Sequence, residues 1–211
     1  MELHKIAVIG GTGKAGSFLV KKLLEKGFQI KLLIRNPENI LNQNPLLEIV
    51  KGDARNYDSV NELIKTCDVV ISTIGQPKGQ KSIFSDSTRN VIQSMNSNGL
   101  KRYIVITGLN VNTPLDIKSE KVRIATEWMY QNYPETTLDK QKEYELLTES
   151  NLNWTLVRLP LIIQTDESFV TETNLYDCIG EKINANDLSE FLISQIDDET
   201  YFKKSPFLYN L

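Results

Sequence analysis

Histidine and cysteine are scarce in this 211-residue chain: His4 is the only histidine, and Cys67 and Cys178 are the only thiols. A Ser-His-Asp or Cys-His catalytic set needs a histidine beside the reacting atoms. His4 precedes the first strand pattern, remote from the expected ligand edge. A zinc site needs clustered His, Cys or carboxylate ligands; the sequence spells none, and no metal is expected. Two cysteines are too few for a disulfide framework and read as buried or half-buried thiols of a cytosolic protein. No basic run occurs, and a net charge of −3 offers no general attraction to nucleic acid or acidic lipid. No apolar stretch is long enough to span a bilayer. The first residues run straight into a strand pattern, leaving no room for a signal peptide. The expectation is a cytoplasmic protein, a monomer or small homo-oligomer, without nucleic-acid or membrane partners. No linker, repeat or low-complexity tract divides the sequence, so residues 1–211 are read as one α/β domain.

The informative stretch is Ile6-Ala7-Val8-Ile9-Gly10-Gly11-Thr12-Gly13-Lys14-Ala15-Gly16. An apolar run ends in a glycine cluster and a helical pattern begins at once. Glycines 11, 13 and 16 satisfy G-x-G-x-x-G; glycines 10, 13 and 16 satisfy a related spacing. Such a turn bends the chain, lets backbone amides approach a pyrophosphate and lets the helix lie close to its strand. The amides of the first helical turn and the helix dipole both favour an anion there. The context agrees: Lys5 to Ile9 reads as a buried strand, Ala15, Phe18, Leu19, Leu23 and Leu24 recur at helical spacing, Gly27 stops the helix, and Gln29 to Ile34 is a second strand. A P-loop is excluded, because Val8 and Ala15 stand where its first glycine and its Ser/Thr belong.

Strand and helix patterns then alternate. A short helix is expected near residues 38–42, a strand at 47–51, a helix at 57–66, a strand at 68–73, a helix at 85–98 ending at Gly99, and a strand at 102–107. A polar loop covers 108–116, two helices (119–130 and 137–150) flank Pro134, a strand runs over 153–159, a helix over 186–195, and residues 207–209 add an edge strand. Repeated strand–helix units with apolar strands predict a parallel sheet covered on both faces, a three-layer doubly wound (Rossmann) fold of strand order 3-2-1-4-5-6. Substrate-side loops are expected at about 108–137 and 161–182.

The second strand ends in Arg35, where an acid would favour NAD(H). A guanidinium there can grip a 2′-phosphate with two hydrogen bonds, so NADP(H) is expected over NAD(H). Gly52-Asp53, followed by Ala54, ends the third strand. The Asp53 carboxylate either accepts from an adenine amino group with the next amide helping, or caps the turn into the following helix. Gly75, after the fourth strand, lets the chain pass close to a ribose and pyrophosphate, or merely reverses the chain.

Together with Ser87-Thr88-Arg89-Asn90-Val91, Arg102-Tyr103-Ile104-Val105-Ile106-Thr107, Ser150-Asn151-Leu152-Asn153-Trp154-Thr155 and Val157-Arg158-Leu159-Pro160, these motifs resemble the atypical short-chain dehydrogenase/reductase superfamily. The likeness is to its NmrA-like, NAD(P)H-binding branch, in length and ordering the biliverdin IXβ reductase/flavin reductase type, and covers nearly the whole chain. The resemblance implies a cofactor held by Gly10, Thr12, Gly13, Lys14, Ala15, Gly16, Arg35, Asp53, Ala54 and Gly75, with Pro160, Leu161 and Ile162 against the nicotinamide. Many members use a Tyr-x-x-x-Lys helix for proton transfer. Counting back from Trp154 places the lysine on Lys140 and the tyrosine on Thr136, which cannot do that work; Tyr144 is read as a packing tyrosine. Thr107 and Lys140 are the candidate catalytic residues; Thr107 bonds either a substrate oxygen or merely a neighbouring backbone group, and Asn90 either orients groups near the nicotinamide or is satisfied by backbone. The implied function is an NADPH-dependent reductase passing hydride to a small-molecule electron acceptor of flavin, quinone or tetrapyrrole type. The alternative is an NADP(H) sensor or partner-binding protein without turnover. A nucleotide-sugar epimerase is set aside, since the tyrosine and the larger C-terminal region are missing.

Overall fold

A computed structural model describes residues 4–37 and 44–211; the helix expected near 38–42 lies outside the described residues. The chain runs β1 (Lys5–Ile9), α1 (Gly16–Glu25), β2 (Gln29–Ile34), β3 (Leu47–Lys51), α2 (Tyr57–Ile64), β4 (Val69–Ser72), α3 (Phe84–Asn98) and β5 (Arg102–Gly108). It continues α4 (Glu120–Asn132), α5 (Pro134–Glu149), β6 (Asn153–Leu159), β7 (Leu161–Ile163), β8 (Thr171–Asn174), β9 (Lys182–Asn184), α6 (Ala185–Ser194) and β10 (Phe207–Asn210). The main sheet has the order β3-β2-β1-β4-β5-β6-β10-β8. Neighbours are parallel throughout, except that β8 runs antiparallel to β10.

Alternation along the central strands builds two cores. Ile6 and Val8 of β1 face Leu19 and Leu23 of α1 and Leu188 and Leu192 of α6. Ala7 and Ile9 face the opposite layer, made by Val60 and Leu63 of α2, Val91 and Met95 of α3, and Leu147 of α5. The result is the expected three-layer doubly wound arrangement. β1 lies between β2 and β4, so the strand order reverses there and the carboxyl ends of the strands open a crevice.

Two details differ from the sequence reading. The C-terminal strand β10 joins the sheet as expected, but β8 covers its far side and forms the edge. The stretch read as substrate-side loop, 161–182, therefore carries β7 and β8. These strands are three and four residues long, and β8 is the exposed polar run Thr-Glu-Thr-Asn, with no apolar alternation to announce it. At the other expected break, Pro134 starts α5, in the first-turn position where its missing amide costs nothing.

Candidate functional site

The crevice is a cleft of about 660 Å³ running across the carboxyl ends of the strands from Arg35 to Ile162. Its centre is the turn from β1 into α1. Gly10 adopts φ +81°, and a Cβ on it would stand 2.7 Å from the Ile74 amide nitrogen. Gly16 is buried behind the turn rather than lining the cleft; a Cβ on it would overlap the Gly10 carbonyl and stand 2.6 Å from Gly11 Cα. These two glycines press α1 onto β1 and aim its amino end into the cleft. That end has no side-chain cap and no acidic residue in its first turn. Among the described residues, the amides of Thr12, Lys14 and Ala15 donate to no protein acceptor. Uncapped amides at a helix start form an anion site, and Thr12, Gly13, Lys14 and Ala15 all border the cleft.

One end of the cleft is cationic. Arg35, exposed just past β2, places Nη1 3.4 Å from Gln80 Oε1. Asp53 and Ala54 lie beside it after β3. Asp53 spends one carboxylate oxygen on the turn, accepting from the Arg55 amide at 2.8 Å, whereas the cap of α2 is Asn56, which accepts from the Ser59 amide. The second Asp53 oxygen stands 4.0 Å from Arg55 Nη1. Gly75 borders the cleft between these ends, and among the described residues other than its chain neighbours a Cβ on it would meet nothing within 4 Å.

The other end is apolar with a few polar groups. Ile83, Phe84, Pro160, Leu161 and Ile162 wall it, and Thr107 and Lys140 face it. The Thr107 hydroxyl is buried and has no hydrogen-bond partner among the described residues. The Lys140 ammonium lies 4.8 Å from the centroid of the Phe84 ring. Burial lowers its pKa, and the charge of Glu143 opposes that shift. Asp139 fixes Lys140 in place by fastening α5 to the start of α3: it accepts from Ser82 Oγ, the Phe84 amide and Ser85 Oγ. Burial raises the Asp139 pKa, but these hydrogen bonds outweigh it and hold the carboxyl below its ordinary value. Asn90 does not reach this end; its amide donates to the Ala54 carbonyl at 2.9 Å, tying α3 to the turn after β3. Tyr144 packs edge-on against Trp154. His4 bonds Asp197, among the residues that follow α6.

A family model described as NAD(P)H-binding matches residues 10–199. The chain belongs to the NAD(P)H-binding family. An isoflavone reductase homologue of Nicotiana tabacum is 36% identical over 117 residues, 49% of this chain and 34% of that protein, so the chain spans about a third of that relative's length. Among solved structures, the anaerobillin reductase ChuY of Escherichia coli O157:H7 superposes with a TM-score of 0.81 at 17% identity, over 98% of this chain and 97% of that one. A short-chain dehydrogenase/reductase of Veillonella parvula in complex with NADP gives 0.80 at 17% identity, over 98% and 94%. At such identities the likeness to the two structures is one of fold. The family model agrees with the NAD(P)H-binding part of the resemblance read from the sequence, and the solved structures agree with its fold.

All the expected site residues except Gly16 border this one cleft. The sequence reading missed Phe84, Gln76 and Pro77, which also border it, and Arg55 and Gln80 beside it. Phe84 sits at the amino end of a helix read as starting at Ser85. The others lie in turn-rich loops where spacing carries no signal. Among the described residues no group of His, Cys, Asp and Glu could hold a metal, and no helix is long and apolar enough to cross a membrane.

Proposed function

We propose that the chain is an NADPH-dependent oxidoreductase that passes hydride to a flat conjugated acceptor of flavin, quinone or tetrapyrrole type. The observation that carries this reading is the continuity of one cleft, from a guanidinium at one end, past an uncapped helix start, to an apolar wall with Thr107 and Lys140 at the other. The residues present fit a dinucleotide: free amides at Thr12, Lys14 and Ala15 suit a diphosphate, and the space at Gly75 admits a close approach. Arg35 suits a 2′-phosphate, and Pro160, Leu161 and Ile162 suit a nicotinamide face. When bound, the nicotinamide supplies hydride chemistry.

This chain's own residues do the rest. The Phe84 ring lies beside the Lys140 ammonium, and the pKa lowered by burial makes that ammonium a better proton donor to an oxygen or nitrogen of the acceptor. The Thr107 hydroxyl offers a second donor. Thr136 leaves the tyrosine position without an acid, so Lys140 and Thr107 are the donors the cleft offers. The reductase name carried by one fold neighbour and the NADP bound to another are consistent with this reading. The test follows NADPH absorbance with flavin mononucleotide, menadione or biliverdin as acceptor. Turnover is expected with at least one, and Lys140→Met should lower kcat/KM about hundredfold without changing NADPH affinity. Tight NADPH binding with no turnover across that panel would overturn the reading.

That outcome would favour a second reading, a nucleotide-dependent partner-binding protein, to which one observation points. Leu115 and Ile117, at and just beyond the loop after β5, are 51% and 75% exposed. A partner captured with NADPH but not with NADP+ would support it; capture indifferent to nucleotide would count against it.

A further inference from the structure

The carboxyl ends of β2 and β3 are neighbours, with Ile34 opposite Lys51. They bring two guanidiniums to a single oxygen: Arg35 Nη1 lies 3.4 Å and Arg55 Nη1 3.5 Å from Gln80 Oε1. Like charges converge there on a neutral amide, through contacts longer than an ordinary N–H···O bond. A carboxamide oxygen is a poor partner for two cations. A phosphate oxygen at the same place would accept shorter, charge-assisted bonds from both, in the forked geometry that arginine favours. Among the described residues, the acid beside this pair is Asp53, 4.0 Å from Arg55, with one of its oxygens already bonded to the Arg55 amide.

Gln80 is delivered by a loop that holds its own shape. The Gln76 side chain donates to the Gln80 and Pro77 carbonyls at 2.8 and 3.2 Å, and Gly79 turns the chain at φ +69°. The loop is fastened by Arg55, whose Nη2 donates to the Lys81 carbonyl at 2.6 Å. Arg55 therefore spends one nitrogen on the loop and turns the other toward the oxygen it shares with Arg35.

We infer that Arg35 and Arg55 together form the 2′-phosphate subsite, and that Gln80 is a neutral placeholder which the 2′-phosphate of NADP(H) displaces. This rests on the NADP(H) reading of the preceding subsection and adds to it a second specificity-determining residue and a competitor built into the chain. Bound 2′-phosphate replaces Gln80 at the pair while the bond from Arg55 to Lys81 keeps the loop over that end of the cleft.

Calorimetry of the full chain with NADPH, NADH, 2′-AMP and 5′-AMP tests this. Arg55→Ala should weaken NADPH and 2′-AMP about tenfold or more while changing NADH and 5′-AMP by less than about twofold. Gln80→Ala separates this from a purely structural role of the loop: losing a competitor should tighten NADPH by about two- to fivefold and leave NADH unchanged, whereas losing a structural bond would weaken both. Equal losses of NADPH and NADH in Arg55→Ala, or weaker NADPH binding in Gln80→Ala, would overturn the inference. A wild-type protein indifferent to the 2′-phosphate would instead remove the NADP(H) reading itself. A preference that survives Arg55→Ala intact would likewise overturn the inference while leaving the NADP(H) reading standing.

Discussion

Glu143 is the most demanding test of the side-chain placement around Lys140. It is 1% exposed on α5, one turn after that lysine. One carboxyl oxygen accepts from Thr88 Oγ1 at 2.8 Å, and the other has no partner among the described residues. Burial raises its pKa to about 7 from an ordinary 4.5, although the Thr88 bond and the Lys140 charge pull it down. The folded chain thus keeps a proton that the unfolded chain releases. The stability contributed by this group is full below the unfolded pKa, declines as pH rises from about 4.5 to about 7, and is lost above. Each pH unit of that window is worth about 1.4 kcal/mol, so ionisation costs the fold about 3 kcal/mol. Glu143→Gln keeps the shape and an acceptor for Thr88 but cannot ionise. Urea unfolding at a series of pH values should show the variant gaining on the wild type by about 3 kcal/mol between roughly pH 4 and pH 8. A stability difference that stays constant over that range would refute the placement of Glu143 as a buried, half-satisfied acid.

Other perturbations have equally definite outcomes. Gly16→Ala forces a Cβ onto the Gly10 carbonyl; thermal unfolding should show a loss of about 1–3 kcal/mol, with weaker nucleotide binding, and an unchanged midpoint would contradict the close packing of α1 on β1. Arg158 is fully buried, donates to Asp116 at 2.5 Å and to the Ser205 and Leu175 carbonyls, and covers the Phe207 ring. Arg158→Met, which among the described residues leaves Asp116 with only Lys118 as a counter-charge, should cost about 3 kcal/mol in denaturant unfolding; a neutral result would mean that this clamp on the loop after β5 is not needed. Burial pushes the Cys67 and Cys178 thiols up to about 11, so iodoacetamide should label neither in the native protein at mildly alkaline pH and both after unfolding. Rapid native labelling would place one of them at the surface.

The central strands and the glycine turn were legible because they rest on local rules. Lys5 to Ile9 and Asp68 to Thr73 are apolar runs, and the glycine spacing reports a backbone need that side chains would obstruct. Arg35 was legible by its position at the end of β2. Arg55 was not, because its importance comes from a loop some twenty-five residues later that brings Gln80 to it. Asp53 was legible only as two alternatives; one of its oxygens accepts from the Arg55 amide within the turn, while the cap of the following helix is Asn56. Glu143 sits in the charged stretch Asp139-Lys140-Gln141-Lys142-Glu143, which reads as a solvated face. It is buried because Ser82, Ser85 and Thr88 on the facing segment supply polar partners for α5, a tertiary fact with no local signature. β8 escaped for the opposite reason: its residues are polar and exposed, and only β10 tells it to be a strand.

Calorimetric titration of the wild type and Gly13→Val with NADPH decides whether the glycine turn cradles a dinucleotide. Gly13 borders the cleft, and among the described residues other than its chain neighbours a Cβ there meets only the Gly10 carbonyl oxygen within 4 Å, at 3.2 Å. The variant should therefore fold while its side chain fills the space a diphosphate needs. Saturable binding by the wild type and a loss of at least about tenfold in the variant are the results predicted here. Wild-type protein that gives no saturation with any pyridine dinucleotide, or a variant that binds as well as the wild type, would contradict the reading of this cleft.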